Sequence, residues 1–507
     1  MTQTLNGAPL LVVGAGIMGV GIAQVAAQAG HTVMLFDTRE GAATEAKDKL
    51  ARTLEALVAK GKLGAEAVTQ TLSRIQPINS LDAAASALLV VEAIVEKLDV
   101  KRGLFKQLEA IVATDCVLAS NTSSISVTAI ANGLQHPGRL VGMHFFNPVP
   151  LMKLVEVVSG LQTEPAVAAA IFDLSKVWGK VPVHARSTPG FIVNRIARPY
   201  YAETLALLQE RAATPAVLDA CLRAAGFRMG PCELMDLIGH DTNFSVTQSV
   251  YEANFFDKRF VPSLVQRELV DGGLLGRKSG RGFYDYTEGA TKPTTAIFEP
   301  VPRPAARLLR VHGQGPLADR FVAALEKAGQ TVQRVQGSDW LGLEVDGGAQ
   351  LRLSDGRTAS QLGVEVAVFD LPLNAGQDGS LAWAPSLHAS EAWTTTAARW
   401  LEALGFKPQR IADIPGLVVA RTVAMLINEA ADAVHQGVCT VEGVNAAMKL
   451  GVNYPAGPFE WLADWHTPAI IALLDALDAH YRGERYRVSP WLRQHAWQSL
   501  TPSVQSS

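Results

Sequence analysis

At 507 residues, 48% hydrophobic and 18% charged, the chain can bury a large core, and its length suggests roughly two to four domains with no default to disorder. A net charge of −3 without any basic run argues against a nucleic-acid surface. Cys116, Cys221, Cys232 and Cys439 show neither C-x-x-C spacing nor a cluster. They read as reduced thiols of a cytoplasmic protein, so neither disulfides nor a metal site is expected.

In chain order, LLVV at 10–13 reads as a short strand. Gly14, Gly16 and Gly19 follow in G-x-G-x-x-G spacing, then an alanine-rich helical run and a second strand ending in Asp37, 18 residues past Gly19. In a dinucleotide site each part has a task. The first glycine allows the tight turn, the second lets backbone approach a pyrophosphate, and the third lets the helix pack on the strand. The helix N-terminus faces the phosphates, and the acid accepts from a ribose 2′-hydroxyl. An adenine dinucleotide is therefore expected here. The same glycines explain the apolar stretch 10–29 better than a membrane span does, and MTQTLNGAP lacks the basic start of a signal peptide.

The segment 41–60 reads as an amphipathic helix with Leu50, Leu54, Leu57 and Val58 on one side. Lys60 and Lys62 at its end read as a solvated helix terminus, with phosphate capture from a ligand as the alternative. LLVVEAIV at 88–95 and CVLAS at 116–120 have the near-continuous apolar character of strands buried on both faces, with a helix at 98–112 between them. Further strands are expected at 140–143, running into His144, and at 154–158. Such alternation predicts an α/β doubly wound parallel sheet of Rossmann type, with ligands beyond the carboxyl ends of its strands. Asn121–Ser124 and His144 fall at such ends. From residue 188 the pattern turns helical to about 271, and 276–286 closes the region with turn chemistry. Residues 288–303, with prolines and threonines, read as a linker.

The sequence repeats. PGFIVNR at 189–195 returns as PGLVVAR at 415–421, and GPCE at 230–233 as GPFE at 457–460. Between them, 308–335 resembles a worn copy of the opening. Gly313, Gly315 and Ala318 keep G-x-G-x-x-A spacing, but no carboxylate stands where Asp37 does, so a structural remnant is expected rather than a second cofactor site. The expected domains are 1–185 (NAD-binding, Rossmann type), 186–290 (helical), 291–408 (degenerate Rossmann-like) and 409–507 (second helical).

His144 and Glu156 form the informative pair. Oxidising a secondary alcohol needs a base for the hydroxyl proton, and an imidazole needs a carboxylate to fix its tautomer and orientation. Glu156 lies in an otherwise apolar strand, where an unpaired carboxylate would be costly, and His144 is its natural partner. Ser123 and Asn194 are neutral hydrogen-bond groups able to hold a substrate oxygen. Ser123 could instead cap the helix starting near Ser126, although Ser124 or Ser126 would serve as well. Asn194 becomes Ala420 in the second copy, so whatever it does is done once.

Through GAGIMG (14–19), Asp37, VEAIVE (91–96), SNTSS (120–124), GMHFFNPVPLMKLVEV (142–157), TPGFIVNR (188–195) and GRKSGRGFY (276–284), the chain resembles the 3-hydroxyacyl-CoA dehydrogenase family over nearly its whole length. That resemblance implies His144 as acid/base, Glu156 as its orienting partner, and Ser123 and Asn194 as contacts of the substrate oxygen. It places NAD at Gly14, Gly16, Gly19, Asp37, Glu96, Lys101 and Asn121, and CoA near Thr53, Lys60 and Lys62, with Gly61 where a lysine would be expected. The tandem form resembles the long enzymes of aerobic phenylacetate breakdown that oxidise 3-hydroxyadipyl-CoA. A first strand starting near residue 10 leaves no preceding hydratase segment, implying a single activity. The expected partners are an acyl-CoA, with neither nucleic acid nor membrane. The second helical copy is expected to play in cis the part a partner subunit plays in short relatives, an internal pseudo-dimer, with a homodimer or trimer beyond it left open. The substrate cleft is expected between the sheet and the first helical domain. The alternatives are a general short-chain or 3-hydroxybutyryl-CoA dehydrogenase, a lysine-based hydroxyacid dehydrogenase, and a non-catalytic nucleotide-binding or structural homologue.

Overall fold

Eight short segments, most of them apolar runs, become the strands of one sheet: β1 (Leu10–Val13), β2 (Val33–Phe36), β3 (Ile75–Pro77), β4 (Leu89–Glu92), β5 (Val117–Ser120), β6 (Leu140–Phe145), β7 (Leu154–Ser159) and β8 (Val181–Arg186). The computed structural model describes residues 5–291, 304, 306–373 and 379–500. Two compact units emerge, one of residues up to 195 together with 433–452, the other of 196–432 with 453 onward.

In the first unit the strand order is β3-β2-β1-β4-β5-β6-β7-β8, so the chain reverses direction across the sheet at β1 and β4, where such folds open a ligand crevice. β1, β4 and β5 are buried along their whole length, as strands of near-continuous apolar sequence require, with Glu92 and Ser120 closing β4 and β5. The helices Ile17–Gln28 and Ala42–Ala59 flank β1 and β2. Of the apolar stripe on the second, Leu50 and Leu54 enter the core while Leu57 and Val58 pack partly buried against it. The sheet is not wholly parallel, which corrects the sequence expectation: β7 runs antiparallel to β6. The short segment 146–153 joins them, too little chain for the helical crossover that a parallel pair needs. This reversal sets His144 directly opposite Glu156 in register. The unit also contains the helix Val441–Gly451, packed on β7 and β8.

The second unit begins with helices from Arg198–Gln209 to Leu264–Asp271. Of the expected linker at 288–303, residues 292–303 lie outside the described residues. A seven-stranded sheet follows, with β9 (Leu309–His312), β10 (Gln333–Val335), β11 (Gly342–Val345), β12 (Ala349–Leu353), β13 (Val366–Phe369), β14 (Ser380–Pro385) and β15 (Lys407–Arg410) in the order β10-β9-β11-β12-β13-β14-β15. It is the expected worn copy. β11 is antiparallel to both neighbours and turns directly into β12, where the first sheet places the helix Leu98–Ile111 between β4 and β5. One anchoring device survives in altered form. Glu156 of the first unit accepts from the N–H groups of Ile192 and Val193. In the second unit the repeated N–H groups of Val418 and Val419, with Ala420, go to Asp370, which follows β13. The helix Pro215–Ala224 packs on β14 within this unit.

Candidate active site

The turn after β1 is shaped by two glycines. Gly14 takes φ +108°, and a Cβ there would stand 2.4 Å from the Ala93 carbonyl oxygen. At Gly19 a Cβ would lie 1.8 Å from the Gly14 oxygen, so only glycine lets the helix meet the turn. Gly16 differs: a Cβ would meet nothing within 4 Å, which leaves the backbone open to a ligand at the start of the Ile17–Gln28 helix, where Gly16 offers no side-chain cap. At the end of β2, Asp37 accepts from Ala15 N at 2.7 Å and Arg39 N at 3.0 Å, so its carboxylate is fixed beside the glycine turn. A turn with open backbone, an uncapped helix start and an anchored carboxylate fits the pyrophosphate and ribose of a dinucleotide.

Beyond β4 and β5 a chain of charged groups shapes the loop 121–124. Glu92 is fully buried and accepts from Lys101 Nζ at 2.6 Å, Ser120 Oγ at 2.7 Å and Ile94 N at 2.8 Å. The same Lys101 ammonium lies 3.1 Å from Glu96. Glu96 in turn accepts from Thr122 Oγ1 at 2.7 Å, Ser123 N at 2.9 Å and Ser124 N at 3.1 Å. Burial pushes the Glu96 carboxyl upward, but Lys101 and the donors from Thr122 and Ser123 outweigh it and hold it below the usual range. Lys101 is only 1% exposed, and its ammonium is spanned by Glu92 and Glu96. Asn121 Oδ1 accepts from Phe145 N at 2.9 Å, bracing the loop against the end of β6.

His144 and Glu156 meet as the register requires, Nδ1 to Oε2 at 2.6 Å, with Glu156 fully buried. The other carboxylate oxygen takes Ile192 N at 3.2 Å and Val193 N at 2.9 Å. Glu156 is thus the acceptor of three N–H groups, which leaves Nε2 as the nitrogen able to take a proton. The Phe146 and Phe191 rings lie 4.5 Å and 5.9 Å from the imidazole. Asn194 Nδ2 donates to the Ser123 carbonyl at 3.3 Å, bringing these two predicted residues together. Ser126, not Ser123, caps the helix Val127–Ala131.

A groove of about 500 Å³ runs from Ala15 and Gly16 past Lys49 and Thr53 to Asn147 and Pro150. Thr53 therefore lines this groove. Lys60 and Lys62 are exposed beyond the helix end and do not line the groove, whereas Lys49 and Arg39 do. Glu92, Ser120, Thr122 and Lys49 were missed from sequence. For Glu92 a signal existed, an acid closing an apolar strand. Among the described residues no group of His, Cys, Asp or Glu is arranged to hold a metal, and no helix is long and apolar enough to cross a membrane.

A dinucleotide-type sheet that carries a His–Glu pair in register on adjacent strands is the framework of an alcohol-oxidising dehydrogenase. Residues 10–188 match the family described as 3-hydroxyacyl-CoA dehydrogenase, NAD binding domain. Its C-terminal domain matches twice, at 190–286 and 416–500, and the 3-hydroxybutyryl-CoA dehydrogenase reduced Rossmann-fold domain matches 351–415. An Escherichia coli protein named 3-hydroxyadipyl-CoA dehydrogenase is 44% identical over 97% of this chain and 98% of its own. The mitochondrial hydroxyacyl-coenzyme A dehydrogenase of Sus scrofa is 43% identical over 54% of this chain and 90% of its own. A crystal structure described as 3-hydroxybutyryl-CoA dehydrogenase from Escherichia coli superposes with a TM-score of 0.85 at 43% identity, covering 97% of this chain and 99% of that one. The chain belongs to the 3-hydroxyacyl-CoA dehydrogenase family, and it is an oxidoreductase of that class with an NAD-binding domain.

Proposed function

We propose that the protein oxidises an (S)-3-hydroxyacyl-CoA to the 3-oxoacyl-CoA with NAD, that its preferred substrate is 3-hydroxyadipyl-CoA, and that it works in the cytoplasm. The observation that carries this reading is the His144–Glu156 pair, opposite in register and 2.6 Å apart, on the sheet that holds the glycine turn. His144 takes the 3-hydroxyl proton on Nε2. Glu156 keeps the imidazole in one tautomer and offsets its positive charge once the proton has arrived. Ser123 and Asn194, joined through the Ser123 carbonyl, hold the substrate oxygen, and the Glu96–Lys101–Glu92 chain fixes the loop that presents Ser123. NAD, when bound, supplies the acceptor for the hydride from C3; Gly14, Gly16, Gly19, Asp37, Glu96 and Asn121 hold it, with Lys101 acting behind Glu96. The groove past Thr53 and Lys49 takes part of the CoA moiety, with Lys60 and Lys62 as outlying cations.

NAD is favoured over NADP because Asp37 would repel a 2′-phosphate, while the nearby Arg39 guanidinium is engaged by Glu45 at 2.7 Å. The full-length match named from sequence and the one described from a crystal structure, both from Escherichia coli, carry different acyl names, adipyl and butyryl, so 3-hydroxybutyryl-CoA is the second reading. Steady-state kinetics with both acyl-CoAs and both cofactors separates these possibilities. The expected result is a higher kcat/KM for 3-hydroxyadipyl-CoA, and for NAD+ over NADP+. A preference for NADP+ would overturn the cofactor assignment, and equal or better use of the butyryl substrate would move the reading to the general short-chain enzyme.

A further inference from the structure

We infer that residues 433–452, which belong by sequence to the second helical copy, are a positioning element for the His144–Glu156 pair, with Gln436 and Gly451 as its positioning residues. The inference rests on the acid/base reading above and deepens it. Three sets of contacts within the first unit carry it.

Arg195 is 5% exposed and directly follows Asn194 in the helical turn Val193–Ile196; its Nη1 donates to Gln436 Oε1 at 2.8 Å. The same turn delivers the Val193 N–H to Glu156 at 2.9 Å. Gln436 therefore grips the piece of backbone that orients the carboxylate. Upstream, Arg186 N, at the end of β8, donates to the Val438 carbonyl at 2.8 Å, which ties the approach to that turn.

Gly451 is the second grip. A Cβ there would stand 2.7 Å from Leu154 Cδ2, 3.0 Å from Val193 Cγ2 and 3.7 Å from Phe146 Cε1. Leu154 shares a face of β7 with Glu156, Val193 donates to it, and the Phe146 ring touches the imidazole. One glycine thus packs against three immediate neighbours of the pair, and a Cβ at 451 would displace the Leu154 side chain and press on Val193. Between the two grips, burial and the Glu156 carboxylate push the pKa of the Cys439 thiol up to about 12, against the lowering effect of Arg195.

The repeat offers independent support. Shifted by the repeat spacing, Arg195 becomes Arg421 and Gln436 corresponds to Glu210, and within the second unit Arg421 Nη2 donates to Glu210 at 3.3 Å. The same pairing thus occurs in both units, each time between segments from different copies. In the first unit it bears on the catalytic carboxylate.

The test uses the full-length protein with 3-hydroxybutyryl-CoA and NAD+. Gln436 is exposed, so its truncation is compatible with folding. Gln436→Ala is expected to lower kcat about tenfold, the scale of a lost hydrogen bond to a charged group, while KM for NAD+ stays within about twofold. Gln436→Glu, which reproduces the residue of the mirrored pair, is expected to restore kcat. Gly451→Ala should lower kcat in the same selective way. The inference is overturned if Gln436→Ala keeps the parent kcat while only Tm falls, or if Gln436→Glu is as impaired as Gln436→Ala. His144→Gln in the same assay keeps the two readings apart, because full activity there would remove the acid/base assignment itself whatever the 436 and 451 variants do.

Discussion

His144→Gln is expected to lose about 10²–10⁴-fold in kcat, the usual range for removing a positioned general base, while the protein stays folded and still binds NADH. Nε2 is the only imidazole nitrogen not committed to Glu156, and glutamine cannot take a proton at neutral pH in its place. The fold should tolerate the change because Glu156 retains the N–H groups of Ile192 and Val193 on its other oxygen. Leaving Oε2 without its donor costs about 1–3 kcal/mol, to be read as a modest fall in Tm. Glu156→Gln should also lower kcat, because an amide can hold the imidazole but cannot offset its charge. Stopped-flow NADH formation with circular dichroism as the folding control measures both. A folded His144→Gln protein turning over at the parent rate would refute the mechanism.

The parts of this site that sequence disclosed are those whose chemistry is local. G-x-G-x-x-G spacing with Asp37 at the next strand end is a backbone requirement written in glycine, and the turn obeys it at Gly14 and Gly19. A lone acid in an apolar strand must find a partner, so Glu156 pointed to His144 before any register was known. What stayed hidden depends on which surfaces meet. Apolar periodicity shows that the helix Val441–Gly451 has a buried face, but not that this face belongs to the sheet of the other copy. The direction of β7 followed from the length of a loop, which a strand pattern does not weigh. The burial of Lys101 was not legible either, because lysine is usually exposed and only the meeting of Glu92 and Glu96 makes its burial tolerable. Lys60 and Lys62 read from charge as a solvated helix end, with phosphate capture as the alternative, and the groove lies about two to three turns earlier along the helix, past Thr53 and Lys49.

The second large effect is expected in stability. Glu203→Gln should destabilise the second unit by about 3–5 kcal/mol at pH 7, the cost of breaking a buried ion pair by removing one partner. Glu203 is fully buried and accepts from Arg421 Nε at 2.6 Å, Arg485 Nε at 3.0 Å and Nη2 at 2.9 Å, and Tyr486 Oη at 3.0 Å. Arg421 is itself fully buried, with Tyr481 Oη at 2.9 Å and Glu210 at 3.3 Å as further partners. One carboxylate thus serves two arginines in a low-dielectric setting, and an amide would leave both guanidinium groups under-compensated. The pH dependence gives the sign. Burial pushes the Glu203 carboxyl up, but Arg485 and Arg421 outweigh it and hold the folded value below the ordinary 4.5. A depressed folded value means that the carboxylate's contribution is complete above 4.5 and is lost as pH falls through the folded value. The gap in unfolding free energy between parent and Glu203→Gln should therefore be flat from pH 6 to 8 and shrink below about 4.5, where the parent becomes protonated at the same position. Urea unfolding at a series of pH values measures that gap directly, and a gap absent at pH 7, or constant well below pH 4, would show that the paired charge does not stabilise this unit.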